Sequence, residues 1–453
     1  MTEEQIKKFY TLCDSLDIRK FSSVELGMYF MGLKQEILIG LKRNGPRVED
    51  DGGLEAIDST VKPVTGEQAD KIPVDSMVIY GAYAGTNWIT GLATKIGKNV
   101  IEQHLVTKSF LDKSTRSFSS REEFAAMLGG QIKEAIETLN TSINKINTLA
   151  ISFGFPFKSE VTNYGRDAVL QIEHLTKSWY IRGASGMYLG KYVLEYLHKI
   201  GIDYIKKVYF ANDTTAVSLD VSAKYSSVQA ENMVSLPIGF VMGTGDNGSA
   251  VFEGYKNNNL INLEIGSATA VKADQVMERM IKEKTVPTKK AIIEYYMGGD
   301  YLLARLATSM FLLQENGAVK NDYYNALLKY ALGAKITSKL AAREVPAEDL
   351  SELFKFRVKA DELFMLNEVA KRTIAKGGQA AGLMVAAVCD VAGWVDGLKG
   401  AIPVEGTVFS QGFGFRESVR KTMKLLVPKH KLIFVPGSGT RGISTEAMIK
   451  SKK

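Results

Sequence analysis

Two glycine runs could do chemistry: GTGDNG at 243–248 and GSGTRG at 437–442. Both satisfy Gly-x-Gly-x-x-Gly, a spacing that brings backbone N–H groups close to an anion. A dinucleotide site would need a complete strand–helix–strand unit and an acidic residue about 20 positions on. Too few residues follow Gly442 for that, so the dinucleotide reading is excluded there. What is left is strand, glycine turn and helix, which aims a helix N-terminus at an anion. GTGDNG runs into a second strand-like stretch, SAVFEGY, and is expected to form a hairpin whose tight turn uses Asp246, Asn247 and Gly248. That hairpin fits a purely structural role as well as a phosphate-binding one.

Polar residues occur at other telling places. Asn212-Asp213 ends the strand-like KKVYFA and opens a helix, which suits an N-cap and equally a carboxylate at the ligand-binding end of an α/β strand. Glu264 sits in the apolar run LINLEIGS, where a carboxylate needs a partner. Glu294, in KKAIIEYYMGG, and Thr176-Lys177, in EHLTKSW, read as a solvated helix face and a loop as readily as a site. The four histidines, His104, His174, His198 and His430, have no zinc-site spacing. There is no Gly-x-Ser-x-Gly elbow and no Gly-x4-Gly-Lys-Ser/Thr loop, since Gly190-Lys191 runs into Tyr192.

The elements that must carry these residues are legible in outline. The chain has 453 residues, 45% of them hydrophobic, enough for two or three lobes with a large core. Residues 3–44 have helical periodicity, and 45–75 are rich in Gly, Asp, Pro and Thr and read as a connection. SMVIYGAYAGTNWITGLAT, at 76–94, suggests two paired strands. Helices are expected at 120–141 and 186–200, and strands at 149–155 and 206–213, giving an α/β lobe over 76–211. A larger α/β lobe is expected over 212–436, joined by the N-terminal helices of 1–75, with 437–453 as a terminal helix. The apolar stretch near 382–395 is short, carries Asp390, and reads as a buried helix. With Cys13 and Cys389 far apart and no disulfide framework, a reducing, cytoplasmic setting is expected. The net charge of +7 is spread along the chain without a basic block, so neither nucleic acid nor membrane is expected as a partner. The opening residues lack the basic-then-apolar order of a signal peptide.

Taken in order, SFGFPF, LTKSW, FANDTT, GTGDNG, NLEIG, EYYMGGDYL, VEGTVF and GSGTRG resemble the hexokinase family from end to end. The resemblance implies an actin-like ATPase fold of two α/β lobes around a deep cleft. It implies a sugar shell of Ser152, Thr176, Lys177, Asn212, Asp213, Asn247, Glu264 and Glu294. Asp213 would take the proton from the C6 hydroxyl of a hexose such as glucose, and Lys177 would offset charge on the transferred phosphoryl group. Phosphates of ATP, accompanied by Mg2+, would meet Gly85, Thr86 and Asn87, Gly243, Thr244 and Gly245, and Gly437, Ser438 and Gly439.

The resemblance breaks at the first phosphate loop. Where the family reads Asp-x-Gly-Gly-Thr-Asn-Phe-Arg, this chain has Ala82-Tyr83-Ala84-Gly85-Thr86-Asn87-Trp88-Ile89. The carboxylate that helps hold Mg2+ is Ala82, and the arginine is Ile89; no metal ligand is assigned. Ala84 adds a methyl where the backbone should meet phosphate. Two functions follow: a hexose kinase with an altered metal shell, or a catalytically impaired homologue that binds sugar as a sensor or scaffold.

Overall fold

A computed structural model describes residues 1–43, 53–85, 87–110, 112–139, 146–175, 179–225, 233–235, 237–286, 291–329, 333–393 and 399–451. The smaller lobe is built on an eight-stranded sheet. Its strands are β1 (Met77–Ala84), β2 (Asn87–Ile96), β3 (Asn99–Ser109), β4 (Thr148–Phe153), β5 (Lys158–Thr162), β6 (Gly165–Leu170), β7 (Met187–Tyr188) and β8 (Lys207–Asn212). They lie in the order β7-β6-β8-β4-β1-β2-β3, with β5 on β6. The central strands β1, β4 and β8 run parallel. Their near-continuous apolar sequences follow from cover on both faces.

One face packs on helices α3 (Arg121–Glu137) and α4 (Leu189–Lys199) through Ile79, Tyr83, Leu128, Phe153 and Val193. At its heart Trp88 and Trp179 stack with ring centroids 4.4 Å apart, ringed by Phe110, Phe124 and Phe155. The other face, with Tyr80, Ala150 and Tyr209, is covered by α10 (Gly439–Lys450) through Ile443, Ala447 and Met448.

The larger lobe carries a seven-stranded sheet. Its labelled strands are β9 (Met233–Ser235), β10 (Ile238–Met242), β11 (Asp246–Val251), β12 (Leu260–Asn262), β13 (Lys399–Glu405) and β14 (Lys431–Pro436). The seventh is the short edge strand Ile57–Asp58 beside β12. N-terminal helices α1 (Glu3–Ser15) and α2 (Ser23–Arg43) put Phe9, Cys13, Leu33 and Ile37 into the same core as the sheet residues Phe240 and Ile261. The stretch expected to be a buried helix lies, over residues 382–391, in α8 (Ala360–Val391), which packs on α9 (Phe415–Leu426); residues 394–395 of it lie outside the described residues. Helix α8 is long and apolar enough to cross a membrane, but 78% of its most apolar window is buried, with every residue from Ala380 to Cys389 in the core.

Beneath α6 (Ile292–Met297) and α7 (Gly299–Glu315), Asp274 is gripped by Arg305 at 2.7 Å and by Lys376. Burial alone would raise the Asp274 carboxyl. The two cations outweigh it and hold the group below the ordinary carboxylate range.

The lobes meet where α5 (Asp213–Tyr225) crosses α10. A Cβ on Gly442 would lie 1.9 Å from the carbonyl oxygen of Ala216, so only glycine lets the two backbones touch. Arg441 forks onto Asp220 of α5 and lies 3.6 Å from Glu102 of β3. α10 is also pinned to the small lobe by the buried bidentate pair Arg166–Glu446, at 2.5 and 2.6 Å.

Candidate active site

A cavity of about 330 Å3 is lined by Gly154, Pro156, Asn212, Asp213, Val241, Gly245, Asp246, Asn247, Glu264, Gly266, Ser267, Ala291, Glu294, Tyr295 and Tyr301. Five residues expected from the sequence therefore share one hollow: Asn212, Asp213, Asn247, Glu264 and Glu294. Asn212 closes β8, and Asp213 begins α5. The Asn212 Oδ1 accepts from the Thr214 N–H (3.1 Å) and hydroxyl (2.7 Å), so the first turn of α5 fixes the orientation of its amide. Asp213 Oδ1 accepts from the Thr214 N–H at 2.9 Å, so a helix N-terminus favours its anion.

Glu264 just follows β12 and has φ 42 and ψ 40, a left-handed conformation rare outside glycine. A web of amides imposes it. Asn262 Nδ2 donates to Glu264 Oε1 at 2.6 Å, and Asn247 Nδ2 bonds both Asn262 (2.8 Å) and Glu264 (3.3 Å). The Asn247 oxygen takes the N–H of Gly248 and of Ile265. Asn262 was missed in the sequence, although it is a polar residue in the same apolar run, two positions before Glu264.

Three expectations need correction. Ser152 is not in the cavity wall. Its Oγ lies 3.2 Å from where a Cβ of Gly439 would sit, beneath the start of α10, and Gly154 takes the wall position. The GTGDNG turn is Gly243-Thr244-Gly245, because Met242 pairs with Asp246 and the next three residues already belong to β11. The donors of the GSGTRG turn are engaged by the chain's own carboxylates. Ser438 N–H donates to Asp220 (3.0 Å), Gly439 N–H to Glu405 (2.7 Å), and the Ser438 hydroxyl to Glu102 (3.0 Å). Ser438 and Gly439 thus hold side-chain anions, and the Gly437 N–H goes to the Val404 carbonyl oxygen at 3.2 Å, so the turn is not an open phosphate cradle. Thr86, Thr176 and Lys177 lie outside the described residues.

Glu405, the carboxylate of VEGTVF, is the second residue the sequence reading missed. It ends β13, where the residue keeps solvent exposure while its Oε2 accepts the Gly439 N–H at 2.7 Å. Protein crowded around the carboxyl group raises it to about 7; the Gly439 N–H opposes the rise, and Asp213, Glu102 and Asp220 add to it. Gly406 follows at φ 130, where a Cβ would lie 2.0 Å from the Met242 carbonyl oxygen. The Glu405 segment is thereby pressed against the Gly243–Gly245 turn. Across the cleft, Gly85 (φ 63) at the β1–β2 turn would place a Cβ 3.8 Å from Thr244 Oγ1, and Asn87 opens β2. Beyond Thr407 a further cavity, of about 300 Å3, is lined by Lys335, Ser338, Lys339, Val408, Gln411 and Phe413 among others.

Residues 237–443 match the hexokinase family. No curated protein sequence matches the chain. Among solved structures, a hexokinase from Schistosoma mansoni complexed with glucose superposes with a TM-score of 0.77 at 15% identity, covering 98% of this chain and 99% of that one. A second hexokinase superposes with a TM-score of 0.75 at 16% identity, covering 98% and 100%. The two-lobed α/β fold of these hexokinases is thus shared along essentially the whole chain, and residues 237–443 carry the hexokinase family's sequence pattern.

Proposed function

We propose that the protein transfers the γ-phosphoryl group of ATP to the C6 hydroxyl of a hexose such as glucose. The observation that carries this reading is the convergence of Asn212, Asp213, Asn247, Glu264 and Glu294 on one cavity of about 330 Å3. Three carboxylates and two amides around a small hollow match a ring of hydroxyls. A substrate lacking one of them would leave buried polar groups unpaired. Asp213 lines this cavity at the start of α5, and in this reading it accepts the C6 proton as that oxygen attacks phosphorus. Asn247 and Asn262 keep Glu264 in its strained conformation, so the sugar meets a preorganised wall.

The second cavity, with Lys335 and Lys339, suits the nucleoside of the donor, and Gly85 and the Gly243–Gly245 turn suit its phosphates. Mg2+ in such sites takes one or two carboxylates besides phosphate oxygens. Glu405 fits that need where Ala82 does not. Its ionisation is opposed by three neighbouring carboxylates, a burden that a cation relieves. Bound with ATP, the ion would neutralise charge on the phosphates. Cys13 and Cys389, both free and buried, suit a cytoplasmic setting.

The test is a coupled assay for ADP. Release that requires both glucose and Mg2+ is expected. Tight glucose binding by calorimetry without turnover would instead favour the sugar-sensing alternative.

A further inference from the structure

We propose that Phe413 is the platform on which the base of the donor nucleotide stacks, so that the donor is bound as a nucleotide rather than as a bare polyphosphate. The inference rests on the donor-site reading above.

A lone exposed apolar side chain needs no explanation. Phe413 is set apart by its type and its place. It is 47% exposed, and among the described residues no other phenylalanine or tryptophan is exposed. Phe409 and Phe415, on either side of it, are buried, so this stretch of chain does bury rings. The Phe413 side chain instead lines the cavity of about 300 Å3 that also holds Lys335 and Lys339.

The backbone that carries the ring is fixed. The Phe413 N–H donates to Ser338 Oγ at 2.9 Å, and the Ser338 hydroxyl donates to the Gln411 carbonyl oxygen at 3.2 Å. The Gly412 N–H donates to the Val408 carbonyl oxygen at 2.9 Å, and a Cβ on Gly412 would lie 2.4 Å from that oxygen. Gly414 then turns the chain at φ 72. The turn is thus tied to the helix Gly333–Ala341, which supplies Lys335, Ser338 and Lys339 to the same cavity. A surface already in place loses little entropy when a ligand settles on it. Phe413 also borders a larger cavity, of about 720 Å3, with Tyr10, Arg372 and Lys421. The smaller one is assigned to the base because Thr407, two residues after the proposed metal ligand Glu405, lines it.

A nucleobase is a flat π-system, and removing an aromatic partner costs about ten- to a hundredfold in affinity. The two lysines, one helical turn apart, add positive charge for a polyanionic ligand.

The experiment measures KM for ATP by coupled ADP release and the Kd of ATP by calorimetry, for the wild type, Phe413→Ala and Phe413→Trp. Inorganic tripolyphosphate, a polyanion with no base, is the second probe, read as a competitive inhibitor against ATP. Phe413→Ala should raise KM and Kd for ATP about ten- to a hundredfold. Its kcat should stay within about twofold, because stacking is equal in ground and transition states. Its Ki for tripolyphosphate should also stay within about twofold. Phe413→Trp should keep ATP within about threefold of the wild type. A Phe413→Ala Kd for ATP within about twofold of the wild type would overturn the platform. So would an equal loss for ATP and tripolyphosphate, which marks a disturbed turn, or a tryptophan variant as weak as the alanine one. Wild-type protein that binds no ATP would remove the donor-site reading itself, and the platform with it.

Discussion

Substituting Gly442 by alanine should damage catalysis without touching a ligand. The added Cβ would sit 1.9 Å from the Ala216 oxygen and 2.7 Å from the Asp220 nitrogen, against a working minimum of 3.0 Å. The obstructing atoms are backbone, so no side chain can swing away. α5 and α10 must separate by the difference, 3.0 − 1.9 = 1.1 Å. Asp213 begins α5 one turn before Ala216, and Glu405 is tied to the Gly439 N–H at the start of α10. The separation therefore moves the proposed base and the proposed metal ligand relative to one another. A misplacement of about 1 Å costs on the order of 10²-fold in rate, equivalent to roughly 2.7 kcal/mol of activation free energy. Overpacking should also lower stability by about 1–3 kcal/mol. The assay is kcat and KM for glucose by coupled ADP release, with glucose binding measured by calorimetry. We expect kcat to fall about 10²-fold while glucose affinity changes by less than about tenfold, because Asn247, Glu264 and Glu294 stand on other elements. Gly130→Ala, on α3, is the control: a Cβ there meets nothing within 4 Å, so activity should be unchanged. A folded Gly442→Ala enzyme with kcat within about threefold of wild type would refute the reasoning.

Other outcomes follow from the same geometry. Asp213→Ala should lower turnover by about 10²–10⁴-fold with ATP binding retained; near-normal turnover would remove Asp213 as the base. Ala82→Asp should lower the Mg2+ needed for half-maximal activity and raise kcat/KM by up to about 10²-fold, since it adds a preorganised carboxylate; a magnesium titration that is unmoved, or activity that drops, would contradict this. Arg305→Met should cost about 3–5 kcal/mol in urea unfolding by stranding Asp274 with one partner. Because the folded Asp274 carboxyl is depressed, its contribution is present above the unfolded value of about 3.9 and is lost as pH falls below it. Wild-type stability should therefore drop below pH ~4, and Asp274→Asn should flatten that limb; an unchanged acid limb would count against the buried pair.

Much of the scaffold was legible because its signals are local. A β-rich run around a glycine turn placed β1 and β2, and the apolar runs LAISF and VYFA marked the buried parallel strands β4 and β8. Glu264 drew attention as a carboxylate among apolar neighbours, and its amide partners explain why it is tolerated. What failed depends on remote contacts. Ser152 and Gly154 have the same strand parity, so spacing alone could not say which one lies under α10 and which lines the cavity. The glycine turn at 437–442 looked ready for phosphate because its resident carboxylates, Asp220 and Glu102, lie 218 and 336 positions away. The hairpin turn was misplaced because three glycines at 243, 245 and 248 permit more than one register, and pairing across the strands fixes it.

The bidentate pair between Arg166 and Glu446 spans 280 positions. During synthesis the guanidinium waits for its carboxylate until nearly the whole larger lobe has left the ribosome. The small lobe therefore cannot mature as an autonomous unit at the head of the nascent chain. A premature stop before Glu446 would leave a stranded cation in the earlier-made half, with much of the cover over Tyr80, Ala150 and Tyr209 lost. Quality-control proteases would then encounter a defect far from the lesion that caused it.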